Sequence, residues 1–94
     1  MVGRPQRTFE LPDAAVGEVL LAARYLTGLN LRDASALTGI DWHVLSRIER
    51  GERPCRVTEL VSLADTYRFA PDRLVRAIVG DDKVRARLRL DEPE

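Results

Sequence analysis

A chain of 94 residues, 45% of them hydrophobic, amounts to one domain with a thin single core. Its 15 basic and 15 acidic residues cancel, and a zero total counts against a nucleic-acid binder, whose phosphate affinity comes from clustered cations. One cysteine, Cys55, rules out an intrachain disulfide, and Cys55 with the single histidine, His43, is too small a set for a metal site.

Residues 1–12 read as a basic arm. Arg4 and Arg7 stand there with no acid before Glu10. The arm lacks an apolar stretch of signal-peptide length, and no run of ~18 apolar residues occurs anywhere. A cytoplasmic protein with no membrane contact is therefore expected. Gly3-Arg4-Pro5 is the short core of the minor-groove AT-hook element, and basic arms of DNA-binding domains do enter the minor groove. "TFEL", residues 8 to 11, alternates polar and apolar and predicts a short strand before Pro12.

Residues 13–80 read as a helical domain. Asp13 is the expected N-cap of a first helix running to about Thr27, with Val16, Leu20, Ala23 and Leu26 or Thr27 on one side and Gly28 as its stop. Asn30 caps a short second helix, Leu31 to about Thr38, expected to bury Ala34 and Leu37. Gly39 supplies the turn, and Asp41 caps a third helix from Trp42 to Arg50, ended by Gly51. Ile40, Leu45 and Ile48 are expected to face inward across that turn. A fourth helix, about Val57 to Arg68, should bury Leu60, Leu63, Ala64 and Tyr67. A fifth, about Pro71 to Val79, has Pro71 in the tolerated first turn and Leu74 and Ile78 inward.

Residues 81–94 read as a strand and tail that would serve dimerisation. "KVRARLRLD", residues 83–91, alternates strictly, with Val84, Ala86, Leu88 and Leu90 on one side. Period two predicts a strand, paired with "TFEL" or with its own copy in a second subunit.

Charge distribution says more than the total. Fourteen of the fifteen cations are arginine, whose flat fork suits phosphate and guanine edges. Four of them, Arg47, Arg50, Arg53 and Arg56, stand against only Glu49 and Glu52, while acids gather at Asp81, Asp82, Asp91, Glu92 and Glu94. With Leu45 and Ile48 pinned inward, Trp42, His43, Ser46, Arg47 and Arg50 must project outward from a 3.6-residue helix. Arg47 can then make the bidentate contact to guanine O6 and N7. His43 can donate to guanine or phosphate, and Trp42 can cover a thymine methyl or a deoxyribose. An enzyme is not expected, because no nucleophile or second ligand lies at suitable spacing from His43.

"GLNLRDASALTGIDWHVLSRIERGERP", followed by "VTELVSLADTYRFAPDRLV", resembles the phage-repressor (Cro/CI, or XRE) type of helix-turn-helix domain over about residues 14 to 79. The resemblance implies a five-helix fold that binds duplex DNA with its third helix in the major groove. It places Trp42, His43, Ser46 and Arg47 at base-contacting positions. Asn30, at the N-cap of the second helix, falls where amides approach a phosphate, and Arg32, Arg50, Arg53 and Arg56 fall among the backbone contacts. Arg24 and Glu49 match a family salt bridge that ties the third helix to the first. The sequence departs from the family pattern at Leu31, where Gln often braces the phosphate contact. Ser35 replaces a crossing Ala, Cys55-Arg56 a Pro-Ser cap, and Ala70 a capping Ser.

The reading is a transcriptional regulator acting as a homodimeric repressor of phage or phage-derived type on a pseudo-palindromic operator, with no cofactor and no evident small-molecule ligand. Two alternatives stand beside it. One is a helix-turn-helix module that binds a protein through an apolar face at Leu31 and Trp42. The other is the antitoxin of a toxin–antitoxin pair whose terminal strand docks by β-addition.

Overall fold

Apolar residues recur at three- and four-residue spacing between turn-forming ones, and a helix forms at each such stretch. The computed structural model describes residues 11–90. They build α1 (Asp13–Thr27), α2 (Leu31–Thr38), α3 (Trp42–Glu49), α4 (Val57–Tyr67), α5 (Pro71–Ile78) and α6 (Asp82–Arg87). Arg4, Arg7 and most of the expected "TFEL" strand lie outside the described residues, as do Asp91 and the acids after it.

The core gathers from α1 to α5, with Leu88 added just past the end of α6. Val19, Leu20 and Ala23 of α1 meet Ala34, Leu45 and Ile48 of the helix-turn-helix, and Leu63, Ala64 and Tyr67 of α4 close it with Leu74 and Ala77 of α5. Helix α1 is the hub, packing against α3, α4 and α5. Gly17 makes its approach to α3 possible. A Cβ there would fall 2.5 Å from the Glu49 carbonyl oxygen and closer still to that of Ile48, both backbone atoms that cannot step aside. A glycine inside a helix costs up to ~1 kcal/mol relative to alanine, and here the close crossing of two backbones explains it.

Two details differ from the sequence reading. Pro12, not Asp13, is the N-cap of α1, and it offers no side-chain acceptor. Asp13 is the first helical residue, where its negative charge still complements the helix dipole. Leu37 is 66% exposed rather than buried. The turn at Gly39 begins so soon that α2 presents only Ala34 fully to the core.

The larger correction concerns residues 83–91. No strand occurs among the described residues, and 82–87 form α6. Asp81 caps it, its Oδ1 accepting from the amides of Lys83 (3.0 Å) and Val84 (3.2 Å). Lys, Arg and Ala are good helix formers, and a helix satisfies its own backbone without a partner strand. The alternating pattern misled because every second step of period two is also an i,i+4 step. Val84 and Leu88 share a helical face, and Leu88 is 2% exposed against the core, while Ala86 is exposed. Pairing of this segment with "TFEL" or with its own copy, and β-addition to a toxin, therefore have no strand to start from among the described residues.

Candidate nucleic-acid interface

The turn between α2 and α3 is fixed from within. Gly39 sits at φ 77°, a left-handed conformation, and its amide donates to the Ser35 carbonyl at 2.8 Å. The Ser35 hydroxyl donates to the Ile40 carbonyl, and Thr38 Oγ1 donates to Ala34 O while accepting from Ile40 N. Asp41 caps α3 by accepting from His43 N at 2.8 Å. Four polar groups thus hold the second helix at a set angle to the third.

The buried side of α3 fixes its rotation. Leu45 and Ile48 are fully buried, and Glu49 is 9% exposed. Arg24 of α1 meets Glu49 as a fork, Nε to Oε2 at 2.7 Å and Nη2 to Oε1 at 3.0 Å. Its remaining Nη1 donates to the Leu29 carbonyl at 3.0 Å, so one guanidinium joins α1, α3 and the loop before α2. The Glu49 hydrogen bond holds the Arg24 pKa above its ordinary value. Tyr67 lies by this pair: burial raises the pKa of its phenol, Glu49 adds to the rise, and Arg24 opposes it.

Helix α3 then presents Trp42, His43, Arg47 and Arg50 to solvent, with Ser46 half-buried beside them. The Trp42 and His43 rings stack on each other, centroids 3.7 Å apart and planes inclined by 28°. The Arg32 guanidinium lies 5.7 Å from the Trp42 ring centroid, within cation–π range. Among the described residues, the Arg47 side chain makes no hydrogen bond or ion pair, and its fork is unoccupied; only its carbonyl is engaged, accepting from Glu52 N at 2.8 Å. Arg50 is partly engaged, reaching Glu52 at 3.3 Å and the Ser46 carbonyl at 3.4 Å.

The other expected backbone contacts fall into two kinds. Asn30 caps α2, its Oδ1 accepting from Asp33 N at 2.8 Å. A shallow groove of about 380 Å³ lined by Asn30, Leu31, Arg32 and Trp42 joins the starts of α2 and α3. Arg53 is committed elsewhere. Its Nη1 donates to Glu59 at 2.8 Å and to the Pro54 carbonyl at 2.9 Å, and its side chain is 21% exposed. Glu59 also accepts from Arg56 N at 2.9 Å, which caps α4 in place of the side-chain cap that Arg56 cannot provide. The Arg53 hydrogen bond holds the Glu59 carboxyl below the ordinary carboxylate range. Arg56 itself is exposed at the head of α4.

Two acids missing from the sequence reading shape this face. Asp33 returns its carboxylate towards Asn30 N at 3.5 Å, which puts a negative charge at the start of α2. Glu59 immobilises Arg53. Both were readable as an acid three residues after a helix cap. Cys55 is half-buried, and burial chiefly pushes its thiol pKa up to about 11, which keeps it a thiol.

No group of His, Cys, Asp and Glu among the described residues could hold a metal ion, and no described helix is long and apolar enough to cross a membrane. No curated protein is similar enough to match the chain. A family model of the helix-turn-helix domain matches residues 15–78, which span α1 to α5 and leave α6 outside. By that match the chain belongs to the helix-turn-helix domain family, a family of DNA-binding regulators.

Proposed function

We propose that the protein is a dimeric, sequence-specific repressor of phage or phage-derived type that reads a pseudo-palindromic operator with α3 in the major groove. The outward row of α3 carries this reading: Trp42, His43 and Arg47 stand opposite a side pinned by Leu45, Ile48 and the Arg24–Glu49 fork. Arg47, unpaired among the described residues, is the base reader, and the Trp42–His43 stack is the leading edge that follows it into the groove. Ser46, half-buried, sits beside them as a minor base contact. Asn30, Arg32, Arg50 and Arg56 hold the phosphates on either side. Arg53 contributes through whichever nitrogens its Glu59 pairing leaves open.

A single helix of this length buries too little surface for tight specific binding, and two-fold proteins read half-sites one helical turn, ~34–36 Å, apart. With no strand among the described residues to pair, α5 is the dimer element. Val75 and Val79, one helical turn apart, are 45% and 53% exposed. Repression follows from occluding polymerase.

A second reading draws on the groove at Leu31 and Trp42, where Asp33 adds negative charge beside the apolar residues. There the face would anchor a protein rather than a phosphate.

Selection of bound duplexes from a random library at about 150 mM salt decides between them. Enrichment of a two-fold-symmetric site is the expected result. Binding to that site should fall by ~10³ or more between ~50 and ~200 mM salt if six phosphates are held. A folded protein that enriches nothing would move the function to the protein-binding reading.

A further inference from the structure

Reading residues 83–91 as a helix re-sorts their cations. On a strand, Arg85, Arg87 and Arg89 would line one face. On α6 they part: Arg85 turns to α1, donating to Glu18 at 2.9 Å, whereas Lys83 and Arg87 border a cleft against α5. Arg73 and Arg76 of α5 border the same cleft from the other side, with Val84 as an apolar wall. Its volume is about 190 Å³.

Four cations around one concavity repel one another unless something negative joins them. The described residues supply little. Asp81 lines the cleft, but its Oδ1 already accepts from the Lys83 and Val84 amides as the cap of α6. Asp72 reaches Arg76 only at 3.9 Å, with both side chains more than half exposed. Among the described residues, Arg73, Lys83 and Arg87 make no ion pair. Among the described residues the positive field is therefore left open at a concave site, where it is focused.

From this arrangement we infer that the α5–α6 cleft is a binding site for a phosphorylated small molecule, which enters phosphate first. Three guanidinium forks and one ammonium suit phosphate oxygens, the forks by paired N–H donors and the lysine as a point charge. The volume is below the ~300–1,000 Å³ of sites that enclose a whole drug-sized ligand, so the cleft takes one or two phosphate groups and leaves the remainder outside. A duplex held by α3 is the poorer occupant. Helix α3 packs on α1 and α2, whereas α5 packs on α1, α4 and α6, so the cleft and the outer row of α3 are built on largely different neighbours. The site needs no DNA reading by α3, and it gives the regulator an input built from α5, the helix that carries Val75 and is capped by Val79.

The test uses the full chain and inorganic pyrophosphate, with inorganic phosphate as the weaker probe, at about 150 mM salt. Backbone amide shifts in the wild-type protein should move saturably and cluster between residues 73 and 88. Calorimetry on Arg73→Gln/Arg87→Gln, an exchange at two exposed positions, should show pyrophosphate affinity reduced by roughly tenfold or more. Arg47→Gln/Arg50→Gln on α3 should leave it unchanged. Shifts spread over all the arginines, or a loss caused equally by the α3 exchange, would reduce the cleft to a solvated charged face. A nonspecific duplex that moves residues 73–88 and competes with pyrophosphate would assign the cleft to DNA and overturn the proposal as well.

Discussion

Asp41 and Asp81 each accept a hydrogen bond from the amide two residues on, and each opens a short helix with arginines on its outer side. From there α3 and α6 part. Helix α3 is held from behind by Leu45, Ile48 and a buried ion pair, and at its start by the stitched turn. Helix α6 buries no residue within its own span. It is held by Leu88 just past its end and by the half-exposed Arg85–Glu18 pair at its edge. The lesson is about what each can deliver. A helix fixed along its whole inner face holds outward side chains in place, as reading a base requires. A helix tacked only at its edge and end holds its outward side chains by fewer contacts, which suits a long cation that adjusts to a small anion.

The largest expected effect breaks the holding of α3. Glu49→Ala leaves Arg24 buried without its carboxylate, and removing one partner of a buried pair costs ~3–5 kcal/mol. For a domain of this size the melting temperature should drop on the order of 20 °C. Exchanging both partners for apolar residues of similar volume should recover most of the loss, because a buried charge pair is close to neutral against good apolar packing. Thermal melts of the single and double variants check this. If Glu49→Ala costs no more than a surface exchange, α3 is held by Leu45 and Ile48 alone.

The same contrast explains what could be read from the sequence. Helix α3 was legible because its signals agree: a cap at Asp41, apolar residues at i and i+3, and a glycine turn before it. The Arg24–Glu49 pair was legible only through the family resemblance. Nothing in a spacing of 25 residues shows that an arginine and a glutamate will meet. In α6 the signals conflict. Val84, Ala86, Leu88 and Leu90 alternate perfectly, and only the strong Asp81 cap and the helix-forming residues between them argue the other way. Leu37 failed for a related reason. Its position fits the apolar face of α2, but that helix is short and its end is lifted away by the turn at Gly39. A strand over residues 83–91 leaves no cleft between α5 and α6, so the alternating pattern hides it.

A smaller effect tests the outer face of α3. Arg47→Ala should cost ~1–3 kcal/mol of discrimination at one base position of the selected site. Its melting temperature should stay put, since an exposed residue without partners contributes within ~0.5 kcal/mol to stability. Arg56→Ala should weaken all duplexes alike and lower the steepness of the salt dependence. Binding isotherms on the selected site and on single-base variants of it separate the two. Equal losses across all sequences from Arg47→Ala would mean that α3 is held firmly but reads no base.

The smallest effect concerns the edge of α6. The Arg85–Glu18 pair is close at 2.9 Å, but its carboxylate is 51% exposed, and pairs of that kind contribute only ~0.2–1 kcal/mol. Arg85→Ala should therefore barely change the melting temperature. It should still be visible locally, because Arg85 also reaches the Ala77 carbonyl and so links α6 to both α1 and α5. Amide hydrogen exchange over residues 82–88 should speed up severalfold while the α3 amides keep their protection, as expected when one end of a domain opens without the rest. If the α3 amides loosen together with those of α6, the two helices open as one unit, and a ligand in the α5–α6 cleft would then have a physical route to the reading face.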